Sequence, residues 1–389
     1  MNSLTIDPPP FTHAKLRVHS RGTLFEAPAS DLKRQAAFFC ELFRATDGTI
    51  YTVFQTGAIK HAVDSRLVIF CSTDEGATWR ELPSRFSQTC QGVPISQANG
   101  MLAEQTDGTL LLFASLFDRS EPERPPFDPV TEGILNSFLV VSVSSDGGET
   151  WSDWNVLETP GYTGCSLTGG SISLGNGGFG IAFESFKRFD EIGSWPHRAC
   201  LMEFDGKSLR PKTTRVLATD PAGHLCYWDQ RLSPGARNRE VLDCFWTHDR
   251  ASKRDLSVHF LRADLDGKIP SPCPTGIKGQ IAAPALLADG RILMLVVERE
   301  SEIGTIQLHV SEDGGGSWQP GPVIYEHSEA AQLHARAGED IDFAAYWEDM
   351  GKWSFGHPAL LDLGNGSALC LYYAGTPKRF GIRWAKVSL

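Results

Sequence analysis

In WSFGHPALLDLGNG, residues 353–366, His357 stands directly before a proline at the mouth of a strand-like apolar run. An imidazole titrates near neutrality and suits proton transfer, so a histidine in that place is a candidate acid or base. Carboxylates in comparable places are Asp118 in FASLFDRSEPERPPFDP and Glu184 in FESFKR, each just past an apolar run, where a side chain can lean over the strand ends. His248 in WTHDR is placed alike. Gln97 in ISQANG, Trp228 in YWDQRLSPGARN and Gln280 in IKGQIAAP open strand-like runs. Amides and aromatic faces at such points are what a neutral sugar needs, because hydroxyls want neutral partners and a pyranose ring stacks on an aromatic one.

These residues need a frame, and the frame shows in repeated turns. STDEGATW (72–79), SSDGGETW (144–151) and SEDGGGSW (311–318) share a Ser-x-Asp-x-Gly-x-Thr/Ser-Trp pattern, and each follows a strand-like run. The aspartate can satisfy turn amides, the glycine tolerates positive φ, and the tryptophan plugs the space between strands. Asp74, Asp146 and Asp313 therefore read as structural. A longer repeat places a turn before a very apolar strand at Asp47-Gly48, Asp107-Gly108, Asn176-Gly177, Asp289-Gly290 and Asn365-Gly366, with a degenerate copy near Asn238. Six units of about 50–75 residues, each with three or four short strands, match the blades of a β-propeller. The expected fold is all-β, one six-bladed propeller domain over 1–389. KLRVHSRG near the start and GIRWAKVSL at the end are expected to share a blade and close the ring, which removes exposed edges.

Composition bounds the partners. Glycine (38), proline (23) and tryptophan (10) are abundant, and no long 3.6-residue apolar period occurs. The formal charge of −11 and the lack of a basic run argue against nucleic acid or an anionic membrane surface. No window approaches the ~20 apolar residues that span a bilayer. The nine cysteines are an odd count, and Cys71, Cys200, Cys244 and Cys370 sit in apolar runs, so a reducing, cytoplasmic setting is expected. No CxxC or HExxH occurs, no cofactor is expected, and self-association is possible for an acidic propeller.

The turns and the six-unit array together resemble the sialidase superfamily, in which such turns are called Asp-boxes. The resemblance spans essentially the whole chain and implies a site at the propeller axis. In that family three arginines grip the sialic acid carboxylate. Here the first-blade position is Phe38, and neither DLSVHFLRA nor EIGTIQLHVSE carries an arginine at the matching offset, although Arg299 is near the second. Each such charge-assisted bond contributes on the order of 1.5–3 kcal/mol, so a sialoside is not expected as substrate.

The family's nucleophilic tyrosine falls nine residues before the glycine of the sixth-blade turn, where this chain has His357. The glutamate that partners it maps by the same count from Asn238 onto Asp229, with Arg231 two residues on as a possible ion-pair partner. The general acid maps onto the loop QTGAIKHAVDSRLVIF, with Asp64 nearest the expected place and Asp118 and Glu184 as alternatives. The resemblance thus implies a hydrolase cleaving a glycosidic bond in a small non-sialic saccharide, with an Asp229-assisted His357 as base or nucleophile and Asp64 as acid. Glu298 and Arg299 are expected to pair and shape the pocket. Two other readings stand beside it: a lyase with His357 as base and Tyr373 as acid, and a glycan-binding propeller without turnover.

Overall fold

The computed structural model describes residues 16–193, 195–328 and 349–388. Its strands form six blades. The first runs outward through Ala36–Arg44, Ile50–Gly57, Arg66–Ser72 and Arg80–Leu82, and the second through Val93–Glu104, Leu110–Asp118, Ser137–Ser144 and Asn155–Val156. The third comprises Cys165–Gly175, Gly178–Ser185, Arg198–Phe204 and Thr213–Thr219. Leu225–Pro234, Glu240–Asp249, His259–Asp264 and Cys273–Pro274 make the fourth, and Ala282–Leu286, Ile292–Glu298, Gly304–Ser311 and Gln319–His327 the fifth. The sixth takes Phe355–Asp362, Ser367–Thr376 and Arg379–Ser388 and is completed by Arg17–Phe25, which pairs antiparallel with Arg379–Ser388. A single parallel bridge, Ala36 to Phe380, joins the sixth blade to the first.

The first strand of each blade touches that of the next, and the sixth touches the first, so these strands surround a common axis. The second strands are buried along nearly their whole length, Ile50–Gly57 from end to end, because a blade covers each of their faces. That is why they read as unbroken apolar runs rather than alternating ones. Apolar clusters sit between successive blades: Val53, Leu67 and Leu112 between the first and second, for example, and Leu242, Phe260 and Met294 between the fourth and fifth.

The three repeated turns lie between third and fourth strands and fold alike. Ser72 Oγ donates to Asp74 Oδ1 (2.8 Å) and accepts from the Gly76 amide (2.8 Å), while the Thr78 amide and hydroxyl both donate to Asp74 (2.8 and 2.6 Å). The same set recurs around Asp146 and Asp313. These bonds hold the Asp74 and Asp146 carboxyls down to about 2. Gly76 and Gly148 take φ of 80° and 91°, which a side chain would resist. No helix among the described residues is long and apolar enough to cross a membrane.

Candidate functional site at the propeller axis

Each innermost strand of blades one, two, four and six carries a register shift, and in each a non-glycine residue turns left-handed: Phe39 (φ 54°), Asn99 (47°), Asp229 (47°) and His357 (45°). The third blade does the same with Gly169 (φ 68°). Such a backbone costs on the order of 1–3 kcal/mol at a residue with a Cβ, and it persists only where the surroundings enforce it. Bulges re-aim side chains, and here they turn four toward the axis. Asn99 uses the turn to tie two blades together, its Nδ2 donating to Ser166 Oγ (3.1 Å) and Leu167 O (2.8 Å).

All four residues line an open-mouthed cavity of about 100 Å³ at the axis. Its wall is largely aromatic, with Phe117, Phe127, Phe186, Trp228, Trp246 and Trp353 around Asp229, Glu184, His357 and Lys60. At its base lies Arg231, 4% exposed. Its Nη2 stands 2.7 Å from His357 Nδ1 and 3.5 Å from Asp229 Oδ1, its Nε 3.6 Å from Glu41 Oε1, and its Nη1 donates to Gln230 O (3.0 Å). A guanidinium can only donate. His357 Nδ1 is therefore an acceptor, and the ring proton sits on Nε2.

Burial, and after it the charges of Arg231, Lys60 and Arg299, keep His357 well below the ordinary imidazole range, so the ring is neutral. Burial pushes the Asp229 carboxyl up to about 6; Arg231 opposes this and the Glu184 charge adds to it. Glu41 is pushed up to about 7, again by burial, against the pull of Arg231. His61, also in the wall, is driven down to about 3 by burial and by Lys60. Glu184 accepts from the Gln230 amide (3.2 Å) and stands 3.2 Å from His197 Nε2.

Five of the residues singled out in the sequence meet here: His357, Asp229, Arg231, Glu184 and Trp228. The expected hydrogen bond between Asp229 and His357 is not formed. Arg231 stands between them, and where a carboxylate would raise the basicity of the imidazole, a guanidinium lowers it. Tyr373 lies just behind His357, ring centres 5.9 Å apart. His248 and Gln280 belong to a buried chain behind the wall: His248 Nδ1 to Asp255 (3.1 Å), Gln280 Nε2 to Asp255 (3.1 Å), and Arg299 Nη1 to Gln280 Oε1 (2.7 Å). Arg299 continues it to Phe355 O (2.8 Å), two residues before His357; it pairs there rather than with Glu298, whose carboxylate faces Lys278 (3.7 Å). Gln97 is spent on the Leu67 amide (3.0 Å) and Ser87 O (3.1 Å). Asp64 is exposed on its loop and lines no part of the cavity, and Asp118 lines a separate outer groove with Arg188.

Glu41, Lys60, Phe39 and Asn99 went unnoticed in the sequence. The count that reaches His357 from Gly366 also reaches Phe39 from Gly48 and Asn99 from Gly108, so two of the four were within reach of the same spacing. Glu41 follows Phe39 as Arg231 follows Asp229, on equivalent positions of two innermost strands. Among the described residues, no group of three or more His, Cys, Asp or Glu is arranged to hold a metal ion.

A ring of inner strands, five of them bulged, six blades and an open-mouthed axial cavity decide the architecture. The fold is that of the propeller glycosidases. By shape the propeller is similar to a Dyadobacter fermentans protein of unknown function (17% identity, 97% of this chain and 100% of that one, TM-score 0.67). It is also similar to a Penicillium chrysogenum α-L-arabinanase solved with arabinobiose (13% identity, 96% and 98% covered, TM-score 0.65). A Hadza microbial sialidase matches 93% of this propeller with 67% of its own chain (14% identity, TM-score 0.61). No protein-family model and no curated protein sequence matches the chain.

Proposed function

We propose that the propeller is a glycoside hydrolase for a small, uncharged saccharide, with Asp229 as the proton donor to the leaving oxygen and Glu184 as the second carboxylate. The observation that carries this reading is the pair itself: two carboxyl groups of one aromatic cavity, of which Asp229 is pushed up to about 6 by burial and by the charge of Glu184. A carboxyl whose pKa is raised beside a second carboxyl is suited to the acid role in sugar cleavage. Glu184, which accepts from the Gln230 amide and stands 3.2 Å from His197 Nε2, takes the role of the second carboxylate. His357 offers its Nε2 proton to a sugar hydroxyl rather than taking one up. Trp228 supplies a face for the ring.

The wall of the main chamber carries no arginine among the described residues, and Arg231 below it is already engaged with His357 and Gln230. A sialic acid carboxylate thus lacks its grip, which supports a neutral sugar. The nine cysteines form no disulfide, in keeping with action in the reducing cytoplasm.

Turnover of aryl glycosides, α-L-arabinofuranoside and sialoside included, tests the reading. Asp229→Asn is expected to lower kcat/KM by about 10²–10⁴ for a poor leaving group and much less for an activated one, with the circular dichroism unchanged. Undiminished turnover in that variant, or a preference for the sialoside, would overturn it, and binding without turnover across the whole panel would assign a lectin-like propeller instead.

A further inference from the structure

Lys60 has no part in that chemistry, yet its amine is built into the same cavity. The side chain leaves the loop after Ile50–Gly57, is half-buried, and runs among the rings of Tyr373, Phe38 and Phe380, with Nζ 4.8, 5.7 and 5.8 Å from their centres. Nζ donates to Met350 O (3.0 Å) and lies 2.8 Å from the Tyr373 hydroxyl. Among the described residues no carboxylate comes within ion-pairing distance of it. Burial and the Arg299 charge hold the amine well below the usual lysine range, with Asp229 a weaker opposing influence. The rings favour the ammonium by about 0.5–2 kcal/mol, less than a buried lysine loses by desolvation. The amine therefore gives up its proton more readily than an ordinary lysine, and it faces the axial cavity.

We propose that Lys60 captures the aldehyde of a small open-chain aldose as an imine. The amine lone pair attacks the carbonyl carbon while the carbonyl oxygen takes the Tyr373 proton, and the nitrogen returns a proton to the phenolate. The carbinolamine then loses its hydroxyl with the second nitrogen proton as water, leaving a C=N bond and Tyr373 as it began. No oxidant or reductant is needed. Tyr373 suits the shuttle because burial raises it to about 12, so it rests protonated. The cavity wall carries no arginine among the described residues to hold the carboxylate of a 2-oxo acid, which leaves the uncharged aldehyde as the class of ligand. This goes beyond hydrolysis and does not depend on it.

Reductive trapping decides the matter on the unmodified full chain. Glycolaldehyde and sodium cyanoborohydride at neutral pH, kept substoichiometric and followed by peptide mass mapping, are expected to tag Lys60 at least about tenfold faster than the exposed Lys33, Lys212 and Lys378, since each unit of lowered pKa multiplies the neutral fraction tenfold. Tyr373→Phe is expected to slow tagging at Lys60 alone. Asp229→Asn is expected to keep the tagging while hydrolysis is lost, so the two readings fail separately. Tagging of Lys60 no faster than of the exposed lysines would overturn the inference, and pyruvate trapped there in preference to glycolaldehyde would overturn the aldose assignment.

Discussion

Arg231 sets the chemistry of every group around it. By donating to His357 Nδ1 it makes that ring a donor to the cavity and removes it as a base. Its charge also keeps Asp229 and Glu41 from rising further than burial alone would send them. Two pH effects follow. If Asp229 must carry its proton, kcat/KM falls as pH rises through about 6, and an alkaline limb centred there in a pH-rate profile checks this. Glu41 binds its proton more tightly folded than unfolded, so the stability it contributes is full below about pH 4 and is lost as pH rises through about 7. Glu41→Gln is therefore expected to raise the melting temperature relative to the parent at pH 8 and to make no difference at pH 4, measured by calorimetry.

The innermost strand is the element that builds the site, and its bulge is the device. Each left-handed residue spends stability to turn a side chain inward. Replacing Asp229 with glycine, which adopts φ of 47° freely, is expected to leave chemical stability equal or higher by up to about 1 kcal/mol while activity disappears. Gly169 is the converse case: a Cβ there would lie 2.5 Å from Gln230 O, so Gly169→Ala is expected to cost at least about 1–3 kcal/mol in urea unfolding. The strands and turns were legible because their signals are local, as in Ser72-x-Asp74-x-Gly76. The positions of His357 and Asp229 were legible because a fixed number of residues separates the bulge from the following turn. Asp64 was misplaced because no periodicity governs where a loop side chain points. Arg231 reaching His357, and Lys60 beneath Tyr373, join segments distant in sequence, which no local pattern encodes.

Across the whole molecule, stability rests on six faces between blades rather than on one centre. Phe25 of the strand Arg17–Phe25 packs against Phe54 and Phe70 of the first blade while its strand completes the sixth. A chain shortened through Phe25 would leave the edge of Arg379–Ser388 unpaired and part of that face empty. Expected results are a melting temperature lower by several degrees and concentration-dependent association in sedimentation; a monomer as stable as the parent would refute the role of this strand. The pairing of Arg17 with Ser388 also bears on how the molecule is made. Arg17–Phe25 leaves the ribosome before its partner and must wait, unpaired, until Arg379–Ser388 has been translated, so the other five blades can assemble before the sixth is complete. A nascent chain halted before Arg379–Ser388 would carry a sticky, unfinished seam, and chaperones would find it there.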